Sequence, residues 1–155
     1  MAESEPKVAL LKFYVKDLSF ETSNSAQLFV EKRGQEWNPD IDLQFGNKVT
    51  VLKDNLHEIV LELTVTAKTE GKMVFLVEVQ MAGLFDFQVS DETQMTNLMS
   101  GPCLQMLFPY IREVVSDLVT RGGYPQLLIA PVNFASLYHQ HLEEVQSAQK
   151  KESNH

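Results

Sequence analysis

His57-Glu58-Ile59-Val60-Leu61-Glu62-Leu63-Thr64-Val65-Thr66-Ala67 is the stretch on which the fold turns. Ile59, Leu61, Leu63, Val65 and Ala67 share one parity, and Glu58, Glu62, Thr64 and Thr66 share the other, with only Val60 out of pattern. Side chains alternate across a strand, so this is a strand with one face in a core and one in water. The turn Lys68-Thr69-Glu70-Gly71-Lys72 and then Met73 to Met81 follow. Gly71 supplies the permissive backbone of a short hairpin loop. In the second arm Phe75, Val77, Val79 and Met81 point inward and Val74, Leu76, Glu78 and Gln80 outward.

Two further strands lie upstream. Val8 to Glu21 reads as a long one, with Val15, Asp17, Ser19 and Glu21 on one parity and Tyr14, Lys16, Leu18 and Phe20 on the other. After a loop containing Gly34, Trp37 to Phe45 sets Ile41, Leu43 and Phe45 against Asp40, Asp42 and Gln44. Helical periodicity takes over downstream. Asp91 is an N-cap for a helix carrying Met95, Leu98 and Met99, which Gly101-Pro102 breaks. Pro109 then opens a helix with Ile111, Val114, Val115, Leu118 and Val119 on one stripe, ended by Gly122-Gly123. An apolar loop from Gly123 to Val132 leads to Asn133, the cap of a last helix with Phe134, Leu137, Tyr138, Leu142 and Val145 on one side. Strands followed by helices predict an α+β fold: a four-stranded antiparallel sheet with helices on one face.

With 155 residues the chain fits one domain, residues 8–145, between a flexible N-terminus over residues 1–7 and a polar mobile tail over residues 146–155. Thirteen basic against 21 acidic residues give a net charge of −8, and Arg33, Arg112 and Arg121 are scattered, so nucleic acid is not an expected partner. The acidic N-terminus lacks the layout of a signal peptide, and no apolar run reaches the roughly 20 residues that span a bilayer. One cysteine, Cys103, forms no internal disulfide. A cytoplasmic protein without membrane insertion is expected.

No catalytic centre, metal or cofactor is expected. His139 and His141 lie two apart on a helix and face different directions, and His57 and His155 are remote from them. Phosphate-loop, dinucleotide and nucleophile-elbow motifs are missing, and Cys103 has no base nearby in sequence. Two features ask for partners. Asp17, Ser19 and Glu21 on the first strand and Leu76 and Glu78 on the fourth form an outward acidic face, which fits a solvated strand surface and a docking site for a basic partner equally well. Met95, Leu98, Met99, Leu104, Met106, Leu107, Phe108 and the Tyr124–Val132 loop are more apolar surface than one sheet covers, so burial between subunits or an open groove is expected.

Several separated stretches, Tyr14-Val15-Lys16-Asp17-Leu18-Ser19-Phe20-Glu21, Phe75-Leu76-Val77-Glu78-Val79-Gln80, Leu107-Phe108-Pro109-Tyr110-Ile111-Arg112-Glu113, Pro125-Gln126-Leu127 and Ala130-Pro131-Val132-Asn133-Phe134, resemble the SecB family of bacterial protein-export chaperones. The resemblance runs from about residue 10 to residue 142 in order and with similar spacing. It implies a homotetramer, a dimer of dimers. It also implies ATP-independent holding of unfolded preproteins in hydrophobic grooves, and their delivery to SecA. On this reading Asp17, Glu21, Leu76 and Glu78 receive the basic, zinc-bearing C-terminal segment of SecA, the zinc belonging to the partner. Phe75, Val77, Val79 and Met81 match positions associated with assembly. Trp37, Tyr124, Leu127, Leu128, Phe134, Tyr138 and Leu142 are groove candidates, each of which fits an ordinary core as well.

Three departures stand out. Glu31-Lys32-Arg33-Gly34-Gln35-Glu36 is longer than usual before Trp37, Met81-Ala82-Gly83 replaces a more polar glycine-rich turn, and Leu104-Gln105 follows Cys103 where Pro-Asn is common. The alternatives are a SecB-like chaperone serving a non-export client such as a toxin-antitoxin pair, and an α+β domain whose apolar loop encloses a small apolar ligand. Retention of Asp17, Glu21, Leu76 and Glu78 together favours export.

Overall fold

The hairpin that turns at Gly71 is the centre of the sheet. In the computed structural model, which describes residues 7–153, β3 (Leu56–Thr69) pairs antiparallel with β4 (Lys72–Gln88) across a turn in which Gly71 takes φ +77. β1 (Lys7–Thr22) adds to the free side of β4 and β2 (Asp40–Lys53) to the free side of β3, giving the order β1-β4-β3-β2. Ile59, Leu61, Leu63, Val65 and Ala67 of β3 and Phe75, Val77, Val79, Met81, Phe85 and Phe87 of β4 are each at most 2% exposed on one face. Removing such side chains from water contributes about 1.5–3 kcal/mol apiece before ordering costs.

α3 (Pro102–Arg121) covers that face. Leu104, Leu107, Phe108, Ile111, Val115 and Val119 recur every three or four positions, forming the stripe that meets the sheet, and all are buried. α2 (Glu92–Ser100) precedes it, capped by the Asp91 carboxylate accepting from Thr93 N–H at 3.0 Å. α4 (Phe134–Ser153) begins where Asn133 Oδ1 accepts from Ser136 N–H at 3.0 Å. The α+β architecture, with a four-stranded antiparallel sheet and helices against one face, is as the sequence predicts.

Several boundaries differ from the expectation. β4 does not stop at Met81 but continues to Gln88; Gly83 is no turn residue, since a Cβ there would lie 2.6 Å from Phe85 and 3.0 Å from Leu107, so the glycine is what lets α3 approach the sheet. β2 starts at Asp40 rather than Trp37 and extends to Lys53. The stretch read as a loop before it holds a short helix, α1 (Ser25–Glu31). α3 begins at Pro102, leaving Pro109 inside the helix, on its exposed side, where the carbonyl that loses its N–H partner can meet water. The parity of β1 is interrupted twice, at Leu11 and Lys16, by bulges, so that Val15 lies opposite Met81 on the inner face rather than with Asp17. α4 runs on through Ser153, and every described residue from His139 onward is exposed. Residues 1–6 of the N-terminal segment and the last two of the tail lie outside the described residues.

Candidate binding surfaces

The outer sheet face follows from register. β1 and β4 place Asp17 opposite Gln80, Ser19 opposite Glu78 and Glu21 opposite Leu76, and directly opposed residues point to the same side of a sheet. Asp17, Glu21, Leu76 and Glu78 therefore share one surface. The three carboxylates are exposed and make no ion pair among the described residues, while Leu76 is half-buried among them. The bulge at Lys16 has a local consequence. The Lys16 ammonium reaches across the face to Glu58 Oε1 at 2.5 Å, and Tyr14 donates its phenolic O–H to the other oxygen of the same carboxylate. The bonds from Lys16 and Tyr14 hold Glu58 below the usual carboxylate range, and the same bond, helped by burial, pushes the Tyr14 phenol up to about 12. Lys16 is thus engaged by Glu58 and leaves neighbouring Asp17 unneutralised.

A cleft of about 410 Å³ opens at one end of the molecule, where Leu28 and Phe29 of α1, the Trp37–Asp40 connection, Lys68–Glu70 and Gly123–Pro125 converge. Its aromatic wall is continuous: Tyr124 lies 5.2 Å from Phe29, 5.4 Å from Trp37 and 5.0 Å from Phe75, centroid to centroid. Tyr124 is buried and its hydroxyl is 2.9 Å from Thr22 Oγ1, so its ring is fixed. Of the groove candidates, the structure brings Trp37 and Tyr124 together here. Leu127 packs half-buried on the core, and Leu128 is 71% exposed and does not line the cleft. Phe134 is buried between Phe45 and Phe108, at 5.5 and 5.8 Å, and is part of the core rather than of a groove in this protomer. Tyr138 and Leu142 lie on α4, half-buried and exposed respectively. Leu28 and Phe29 escaped the sequence reading because seven helical residues are too few to show a period.

Phe75, Val77, Val79 and Met81 lie inside the protomer, under α3, and offer no surface to a second copy. Exposed apolar side chains gather instead on the edge strand, where Leu11, Phe13, Val15 and Leu18 are 40–54% exposed, Phe13 stacking on Tyr110 of α3 at 3.8 Å. An apolar edge strand with unpaired backbone groups is an open pairing surface.

Among the described residues no three His, Cys, Asp or Glu side chains converge as a metal site. Cys103 is buried and its thiol is pushed up to about 12 by burial, so it carries little thiolate at neutral pH. No helix among the described residues is long and apolar enough to cross a membrane.

The family model for SecB, described as preprotein translocase subunit SecB, matches residues 1–145. The chain is 48% identical over 151 residues to a protein-export protein SecB of Nitrosococcus oceani, covering 97% of this chain and 91% of that one. It is 43% identical over 146 residues to its namesake from Pseudomonas fluorescens, covering 94% and 89%. In structure it is similar to a Mycobacterium tuberculosis SecB-like chaperone solved in complex with a ChAD peptide from an antitoxin, with a TM-score of 0.65, 20% identity, and coverage of 81% and 91%. At that identity the likeness speaks to the fold.

Proposed function

The chain belongs to the SecB family, and from that premise we propose that it is an ATP-independent holding chaperone of the bacterial cytoplasm, binding unfolded preproteins and passing them to SecA for export. The observation that carries the client-binding half is the aromatic cleft: Phe29, Trp37 and Tyr124 line an opening of about 410 Å³, room for apolar side chains of an extended chain. Burial of apolar area yields roughly 25 cal/mol per Å², so a client side chain of Leu or Phe size gains a few kcal/mol at such a site. Many weak contacts along one extended chain then add to firm holding. Folded proteins hide those side chains, so the chaperone selects slow folders without reading a sequence.

The outer acidic face supports the delivery half. Asp17, Glu21 and Glu78 around Leu76 present charge with an apolar centre, which suits the basic, zinc-bearing C-terminal segment of SecA. The exposed stripe Leu11, Phe13, Val15 and Leu18 supports assembly into a homotetramer, a dimer of dimers, because a second copy would cover it. In that assembly Phe75, Val77, Val79 and Met81 act indirectly, by seating α3. Suppression of the aggregation of a denatured precursor without ATP, run beside a light-scattering mass, tests the whole reading. A stable single subunit that leaves the precursor to precipitate would end it.

A further inference from the structure

We propose that α1 is a hinged lid on the aromatic cleft, with Phe29 occupying in the closed state the place an apolar client side chain takes when the lid opens; this rests on the reading of the cleft as a client site. The helix is poorly anchored. None of its seven residues is buried, Val30 and Phe29 are 71% and 42% exposed, and a helix this short does not persist without packing. Its N-cap, Asn24, contributes no side-chain bond and sits in the left-handed region at φ 52, and its first and last turns lack the acidic and basic residues that favour a helix end.

Both flanks of α1 are hollow. The cleft of about 410 Å³ lies on one side and a second cavity of about 240 Å³ on the other, and Leu28, Lys32, Gln35, Thr69 and Glu70 line both. Both are grooves open to solvent, and along them the helix lacks the neighbours that close packing would give it. Thr69 Oγ1, in the floor between the two, is buried with no hydrogen-bond partner among the described residues, which disfavours the closed arrangement further. Against this, Leu28 packs half-buried on the core and the Phe29 ring meets Tyr124 at 5.2 Å, and two further contacts close the lid. Phe29 lies against Gly123, where a Cβ would come within 3.0 Å of its ring, and the Lys32 ammonium meets Glu70 at 3.4 Å with Glu70 largely in water. Asn24 at one end and Gly34 at φ +77 at the other supply the hinges.

The chain carries a single tryptophan, Trp37, in the cleft, so its fluorescence reads the lid directly and without a client. The experiment measures acrylamide quenching of Trp37 and stopped-flow capture of reduced, alkylated, fluorescein-labelled lactalbumin in the full protein, for the parent, Phe29→Ala and Glu70→Lys. Far-UV circular dichroism serves as the fold control. Opening the lid should raise the quenching constant about twofold and the capture rate three- to tenfold in both variants. Quenching unchanged in both overturns the lid. Slower capture by Phe29→Ala makes Phe29 a gripping wall and also overturns it, leaving the client cleft in place. Greater quenching with capture unchanged removes the gating role and, separately, the assignment of this cleft to clients.

Discussion

Reversing both acidic residues of β1, as Asp17→Lys with Glu21→Lys, isolates docking from folding. Both side chains are exposed on the outer face and make no ion pair among the described residues, so the fold loses nothing it leans on. They stand four residues apart on one strand, about 13 Å, so each meets a different cation of a bound basic segment. An exposed ion pair contributes about 0.5 kcal/mol, and reversal replaces that attraction with a similar repulsion, about 1 kcal/mol per site and about 2 kcal/mol for both. Binding should weaken about 30-fold at low salt. Screening shortens from about 10 Å at 0.1 M to about 3 Å at 1 M, so the gap between variant and parent should shrink to a few-fold in high salt. The assay is a fluorescence-anisotropy titration of a labelled, zinc-loaded peptide carrying SecA's C-terminal segment, at low and high salt, beside an aggregation assay that should be unaltered. Equal affinity in variant and parent, or a loss independent of salt, would refute the docking assignment.

The Lys16–Glu58–Tyr14 network makes a titration prediction with a definite sign. Tyr14, raised from 10.0 to about 12, contributes stability that is complete below pH 10 and is lost as pH rises toward 12; Glu58, lowered from 4.5, contributes stability present above pH 4.5 and lost as pH falls through its folded value. Alkaline difference absorbance should show a late tyrosine phase that Tyr14→Phe removes and Glu58→Gln moves to lower pH; a phase untouched by both changes would discard the network. Gly122→Ala should cost about 1–3 kcal/mol, because its Cβ would stand 2.4 Å from the Phe20 ring, which is backed by Phe75 at 5.9 Å. For a chain of this size that is a drop of roughly 2–12 °C in Tm by calorimetry, and an unchanged Tm would mean that Phe20 moves freely. Val15→Asp with Leu18→Asp should lower the light-scattering mass while leaving the circular dichroism intact, whereas Val77→Asp, buried at 0% exposure, should abolish the folded subunit itself. A full-mass oligomer from the β1 double variant would remove that stripe from the assembly surface.

What the sequence disclosed, and what it concealed, divides along physical lines. Alternation in β3 is visible because each residue answers to one face, and the same holds for Asp17, Ser19 and Glu21, which follow the Lys16 bulge without interruption. Val15 departs from the expected parity because a bulge adds one residue without any signature in composition, and the stretch between the bulges at Leu11 and Lys16 changes sides. Ala82-Gly83 looks like a turn locally. Its meaning is tertiary, since the space that Gly83 leaves is filled by Leu107 from α3. The cleft was least legible, for it joins residues 28–40, 68–70 and 123–125, segments whose approach depends on strand order and on how α3 ends.

β4 links these surfaces. Its odd positions, Phe75, Val77, Val79 and Met81, are committed to the core, while Leu76, Glu78 and Gln80 between them face outward at no cost to packing. Period-two geometry thus lets one strand hold the subunit together and present a partner surface without either task constraining the other. Phe75 also touches Tyr124, so the strand that carries part of the acidic outer face backs the aromatic wall of the cleft on its other side. Cleft and acidic face are therefore on opposite sides of one sheet, so a ligand seated in the first would leave the second uncovered.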